Sequence, residues 1–199
     1  GSSQIWSLSA EGANPRQITK LSTEASGVIV SPDGKKLVFQ SSVYPQCGSD
    51  DACNKKNLDA AEKNPVKARV YTSLLYRHWN EYQGMRRNHL LVIDADGTEV
   101  KDLTPGPGDA PPFSLGGPEA YVISPDSTEL SFVRNVDAQP ATSTNSDIYT
   151  VSLTGGEPRK ITISPGADDG PLYSPDGRYL AFRSQARAGY EADRFRLMV

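Results

Sequence analysis

The chain has 199 residues, enough for one large domain or two small ones, with a hydrophobic fraction of 37% and a charged fraction of 23%. The formal net charge is only −3, with the basic residues scattered and the densest pair, Arg86-Arg87, too small to track a phosphate backbone, so nucleic-acid binding is not expected. No apolar run approaches the roughly 20 residues that span a bilayer, so no membrane association is expected, while 17 glycines and 15 prolines promise many turns.

Residues 1–3, Gly-Ser-Ser, read as a cloning scar and are left out of the fold reasoning. From Gln4 the text "QIWSLSAEGANPRQIT" is an apolar strand, a Gly-containing turn and a short strand ending in Ile-Thr. Next come "GVIV", the turn Ser31-Pro32-Asp33-Gly34 and "KKLVFQ". Pro32 presets φ, Asp33 can bond its own neighbouring backbone and Gly34 tolerates the left-handed exit, so this is a hairpin. Leu37 and Phe39 alternate with Val38, which predicts a strand with one core face.

Residues 42–87 read as an insertion. "YPQCGSDDAC" holds the only cysteines, Cys47 and Cys53, in one polar loop. That placement suggests a disulfide and an oxidising compartment. A metal site with Asp50 and Asp51 as further ligands, or a pair of free thiols, stays open. "NKKNLDAAEKN" suits a short helix capped by Asn57 and stopped by Pro65. "ARVYTSLLYRHW" returns to strand-like text. Arg77, His78 and Trp79 either line a polar pocket or pack as aromatics around a structural arginine.

The opening phrase returns at His89 as "HLLVIDADGTEVKDLT" and at Asp147 as "DIYTVSLTGGEPRKIT". His89 stands where Gln4 and Asp147 stand in the other copies and so reads as framework. The turn returns as Ser124-Pro125-Asp126-Ser127 and as Ser174-Pro175-Asp176-Gly177, followed by "TELSFVR" and "RYLAFRS". If the fourth turn position is left-handed, Ser127 costs on the order of 1 kcal/mol there. After the last copy, "QARAGYEADRFRL" breaks the pattern and carries Glu191, Asp193 and Arg194. A free carboxylate in such a loop can hold a cation; a salt bridge such as Asp193 with a nearby arginine is the equal alternative. "RFRLMV" opens a further copy.

Four strands per unit, with turns about fifty residues apart at Ser124 and Ser174, are the arithmetic of a β-propeller blade. The expected fold is all-β: a partial propeller of about three four-stranded blades over residues 4–199. Both ends break inside strand text, so a piece of a longer protein is expected. A β-sandwich is the weaker alternative, because sandwiches rarely repeat a whole two-hairpin phrase. There is no G-x-S-x-G, no P-loop and no dinucleotide fingerprint, so no catalytic residue, cofactor or metal is assigned.

"SPDG…LAF", "GGEPRKIT", "LLYRHWNEY", "GGPEAYVISPD", "STNSDIY" and "GYEADRFRL" together resemble the propeller domain of the prolyl oligopeptidase family of serine peptidases. The likeness is closest to bacterial dipeptidyl-peptidase and acylaminoacyl-peptidase-like members, the dipeptidyl-peptidase 5 type above all. It implies a propeller that restricts access to an α/β-hydrolase domain bearing a Ser-Asp-His triad. No triad residue can be carried over, because this chain has no hydrolase domain. Its partners would be peptide substrates, that domain and the remaining blades, with homo-oligomerisation open, in the periplasm or outside the cell. Some dipeptidyl members hold the substrate's amine with propeller carboxylates, which makes Glu191 the candidate. The alternative is a TolB-like propeller that binds a protein partner without chemistry.

Overall fold

The computed structural model describes residues 2–72, 74–113 and 118–199. Ser73, inside the stretch expected as a strand, and Gly116 and Gly117 of "GGPEAYVISPD" lie outside them. In chain order the strands are β1 (Trp6–Ser7), β2 (Arg16–Gln17), β3 (Ser26–Val30) and β4 (Lys36–Val43). Helix α1 (Asp51–Lys63) and the hairpin β5 (Arg77–His78) and β6 (Glu81–Tyr82) follow. Then come β7 (Arg87–Asp94), β8 (Lys101–Asp102), β9 (Tyr121–Ile123), β10 (Glu129–Arg134), β11 (Asp147–Ser152) and β12 (Arg159–Lys160). The last are β13 (Asp168–Tyr173), β14 (Leu180–Ser184) and β15 (Arg196–Met198).

The pairing is that of propeller blades. Strands β3-β4-β7-β8 and β9-β10-β11-β12 form two four-stranded antiparallel meanders, and β13-β14-β15 form three strands of a third. Ribbon β1-β2 precedes them. The expected unit is therefore right in content and shifted in phase: each sheet opens with the Ser-Pro-Asp hairpin and closes with the phrase that follows it. First strands touch in sequence, β3 to β9 and β9 to β13, so they share one side of the array.

The repeated turn is one hydrogen-bonded device. In each copy the serine hydroxyl donates to the aspartate two residues on, at 2.6 Å, for Ser31, Ser124 and Ser174. The same aspartate accepts a backbone amide at 3.1 Å, from Lys35, Thr128 and Arg178. These bonds, the serine hydroxyl's first, hold all three carboxyls below the usual aspartate range. The exit residues are left-handed, with φ of 72° at Gly34, 61° at Ser127 and 69° at Gly177. Ser127 thus sits in the costly conformation, and its hydroxyl accepts the Asp33 amide of the neighbouring turn at 3.1 Å.

The Ile-Thr and Leu-Thr endings also do one job. The hydroxyls of Thr19, Thr104 and Thr162 accept the buried amides of Ile5, Leu90 and Ile148 at 2.8, 2.9 and 3.0 Å. A buried amide left without an acceptor costs free energy, so a short outer strand needs this cap. Beyond the threonine, Ala25, Ala110 and Asp168 donate their amides to Ser3, Asn88 and Ser146, at one spacing of 22 residues.

The core lies between sheets. Val38, Leu90, Val92 and Leu103 meet Leu130, Phe132, Ile148 and Val151 in one cluster, with Leu180 and Phe182 packed against it. Leu37, Phe39, Leu91 and Ile93 meet Ile5 and Ile18 in a second. This corrects the expectation of one core face. Leu37, Val38 and Phe39 are all buried, because a strand in an inner blade has a neighbouring layer on each side.

The insertion differs from its sequence reading in two places. The helix starts at Asp51, and its cap is Asp50, whose carboxylate accepts the Cys53 amide at 3.0 Å. Asn57 lies within the helix and donates to the Cys53 carbonyl. Asp50 takes the cap from Asn57 because it stands about two turns earlier, next to the covalent anchor. Among the described residues the "ARVYTSLLYRHW" stretch yields only the two residues of β5, whose one partner there is the equally short β6. Among the described residues no helix is long and apolar enough to cross a membrane.

Candidate functional site

The Ser-Pro-Asp turns close one end of the sheets, and everything irregular emerges at the other. The second-to-third-strand connection of each blade, residues 44–86, 135–146 and 185–195, leaves from that far end. An inserted link before β9 joins them there: six residues separate Ala25 from Ser31 and Asp168 from Ser174, but fourteen separate Ala110 from Ser124. Together these segments wall a cavity of about 1090 Å³.

The walls are tied to one another. The Gln83 amide donates to Asp109 at 2.6 Å, joining the first connection to the link. The Gly189 amide donates to the Thr144 hydroxyl at 3.0 Å, joining the second connection to the third. Gly166 admits the third connection against the sheet: a Cβ there would lie 2.5 Å from the Gln185 carbonyl oxygen. Gln185 in turn donates to the carbonyls of Glu191 and Asp193 at 3.0 and 2.7 Å, which shapes the loop carrying Glu191.

Of the residues singled out in the sequence, His78, Trp79 and Glu191 line this one cavity although 112 positions separate Trp79 from Glu191. Arg77 does not line it. The register of the β5–β6 hairpin turns Arg77 outward and exposed, while His78 faces in. The Arg77 side chain makes no hydrogen bond or ion pair among the described residues, and its backbone pairs with Tyr82 in the hairpin. Trp79 opens the two-residue turn of that hairpin with φ of 50° and is 84% exposed, its ring centred 5.7 Å from that of His78 and tilted by 34°. A bulky residue pays roughly 1–2 kcal/mol for that conformation.

Glu191 has no ion pair or side-chain hydrogen bond among the described residues, so its carboxylate is available. Asp193 is not. Its carboxylate accepts the amides of Ala186, Arg187 and Arg194 at 2.8, 3.1 and 3.0 Å. The first of these does most to hold its carboxyl below the usual range. Its salt-bridge partner is Arg196, at 3.7 Å; Arg194 contributes only its backbone.

The cysteines are bonded to each other, Cys47 to Cys53, with Cα atoms 5.5 Å apart. Asp50 and Asp51, named as further ligands in the metal alternative, are otherwise engaged: Asp50 caps the helix and Asp51 accepts the Ser22 amide and hydroxyl at 2.6 and 3.0 Å. His89 is framework, as its place in the repeat indicated. It is fully buried, with Nδ1 2.7 Å from Asp102 and Nε2 3.0 Å from the Gly106 carbonyl.

Sequence reasoning missed Arg134, Glu119 and Asp168. Arg134 and Glu119 line the cavity, and Asp168 lies between two lining residues, Ala167 and Asp169. Asp168 had a visible signal: the repeat puts a carboxylate where its other copies have Ala25 and Ala110. It is wholly buried and neither of its oxygens meets a donor in good geometry, although the Ser184 and Thr162 hydroxyls lie near enough to ease its ionisation. Burial, and to a lesser degree the charge of Asp147, pushes its carboxyl above the usual range.

No protein-family model matches the chain. A curated dipeptidyl-peptidase 5 from Porphyromonas endodontalis is 31% identical over 209 residues, covering 100% of this chain and 29% of that protein. The Porphyromonas gingivalis dipeptidyl-peptidase 5 is 33% identical over 181 residues, covering 87% of this chain and 25% of it. Among solved structures, TolB from Acinetobacter baumannii aligns with a TM-score of 0.50 at 16% identity, over 94% of this chain and 35% of that one, a likeness of fold. The chain thus spans less than a third of the length of either curated relative. By sequence along its whole length this chain is similar to the dipeptidyl-peptidase 5 proteins, and its blades share the fold of the TolB propeller.

Proposed function

We propose that the chain is the substrate-gating propeller part of an exported serine peptidase of dipeptidyl type, with no catalysis of its own. The observation that carries this reading is the cavity: walled by connections from three successive blades, it brings Glu191, unpaired among the described residues, to one space with His78 and Trp79. Glu191 is the residue that holds the free amino terminus of a peptide. Trp79 and His78 offer flat faces to the side chain beside it. The absence of G-x-S-x-G supports a binding role for this chain, with chemistry in a hydrolase domain elsewhere in the longer protein. The Cys47–Cys53 bond supports an exported setting, periplasmic or secreted. The remaining blades and the hydrolase domain are its proposed partners.

The test is Glu191→Gln in the full-length protein, assayed on peptides with free and with acetylated amino termini. A carboxylate–ammonium hydrogen bond is worth about 1.5–3 kcal/mol. The free-amine substrate should therefore lose about ten- to a hundredfold in kcat/KM, and the acetylated one almost nothing. Equal losses, or none, would remove Glu191 from the site.

A further inference from the structure

The charged groups lining the cavity divide into those already matched and those left over. Arg183 pairs with Asp169 at 2.8 Å and lies over the Phe195 ring. Arg87 donates to the carbonyls of Pro107, Gly84 and Arg86, with Asp109 4.0 Å away. Asp109 itself accepts from Gln83 and from the Asn88 amide. Asp137, three residues beyond Arg134, is turned to Ser143 and Asn145. Two carboxylates remain without partners among the described residues, Glu191 and Glu119, and one cation, Arg134.

Arg134 is held in place without being neutralised. It ends β10, and its guanidinium lies against the Pro105-Gly106-Pro107-Gly108 loop. Cβ atoms at Gly106 and Gly108 would stand 3.4 and 3.1 Å from its Nη2, so the glycines let the loop approach the guanidinium closely. Its Nε is buried and has no acceptor. No carboxylate lies within 4.0 Å of it among the described residues. Arg134 is half-buried and only its Nε is covered, which leaves the two terminal nitrogens, unpaired among the described residues, to take a carboxylate by two parallel bonds.

We propose that Arg134 binds a carboxylate of the ligand, so that the cavity holds short zwitterionic peptides by both ends. The ammonium goes to the glutamate side and the terminal carboxylate to Arg134. Such a ligand is a dipeptide of the kind a dipeptidyl peptidase releases. This rests on the peptide-binding reading given above and adds the second anchor to it.

The experiment is calorimetric titration of the chain with the dipeptide Ala-Phe, its C-terminal amide and its N-acetyl form. The amide is expected to bind about tenfold more weakly than the acid, the loss of one charge-assisted pair. Arg134→Gln should reduce acid binding to the level of the amide and leave the amide unchanged. Arg134→Lys, which keeps the charge and loses the fork, should retain part of the preference. Equal binding of acid and amide by the unaltered chain would overturn the proposal, and that comparison needs no variant to fold. So would an Arg134→Gln chain, folded by circular dichroism, that still discriminates. If acetylation weakens binding and amidation does not, the amine-binding reading stands and this inference falls. If no form binds at millimolar concentration, both fall.

Discussion

Thr104 and Asp168 show how single residues carry the framework and depart from it. The Thr104 hydroxyl accepts the buried Leu90 amide, so Thr104→Val keeps the shape and removes that acceptor. The cost expected is about 1–3 kcal/mol, seen as a lower urea midpoint with an unchanged slope; no change in midpoint would contradict it. Asp168 works in the other direction. Its carboxyl is raised by burial, so its contribution is fully favourable below the unfolded aspartate pKa, near 4. That contribution is lost as pH rises through the folded value. Asp168→Asn should therefore raise the melting temperature at pH 7, with the gain shrinking toward pH 4; a variant less stable at pH 7 would show the charge is compensated. The threonine was legible only as a recurring letter, since its role depends on which strand lies beside it. Asp168 was legible as an exception once the copies are aligned by their hydrogen bonds, and the phrases alone did not supply that alignment.

Elements follow the repeat closely where neighbours supply the ladder, and poorly where they do not. The three Ser-Pro-Asp hairpins were readable because turn chemistry is local. The one-face reading of β4 failed because burial on the second face comes from the adjoining sheet. Phe132 belongs to the same position as Phe39 and is fully buried between sheets. Phe132→Ala should cost about 3–5 kcal/mol, measured by chemical denaturation, and a loss below 1 kcal/mol would mean the sheets do not pack as described. Helix α1 has a different support. Asn54 is its one buried residue, and its first turn is fastened by the Asp50 cap and the Cys47–Cys53 bond. Closing so short a loop is worth about 2 kcal/mol. Reduction should thus speed tryptic cleavage at Lys55, Lys56 and Lys63 well before the blades unfold. Unchanged cleavage at those sites would show that the helix stands without the bond.

At the scale of the whole molecule, blades make a platform and their connections wall one cavity. The propeller was legible from spacing, and the positions of Glu191, His78 and Trp79 were legible as breaks in the repeat. Their convergence was not, because it depends on all long connections leaving the same end of successive sheets. Arg134 stayed hidden for a related reason: it ends a regular strand and carries no irregularity of its own. The central claim is that these connections form one peptide-binding space. Hydrogen exchange of the chain with and without saturating Ala-Phe tests it most directly. Slowed exchange is expected in three segments together, about residues 75–83, 135–146 and 185–191, with the Ser-Pro-Asp turns at the opposite end unchanged. Protection confined to one segment, or found at the turns, would contradict it.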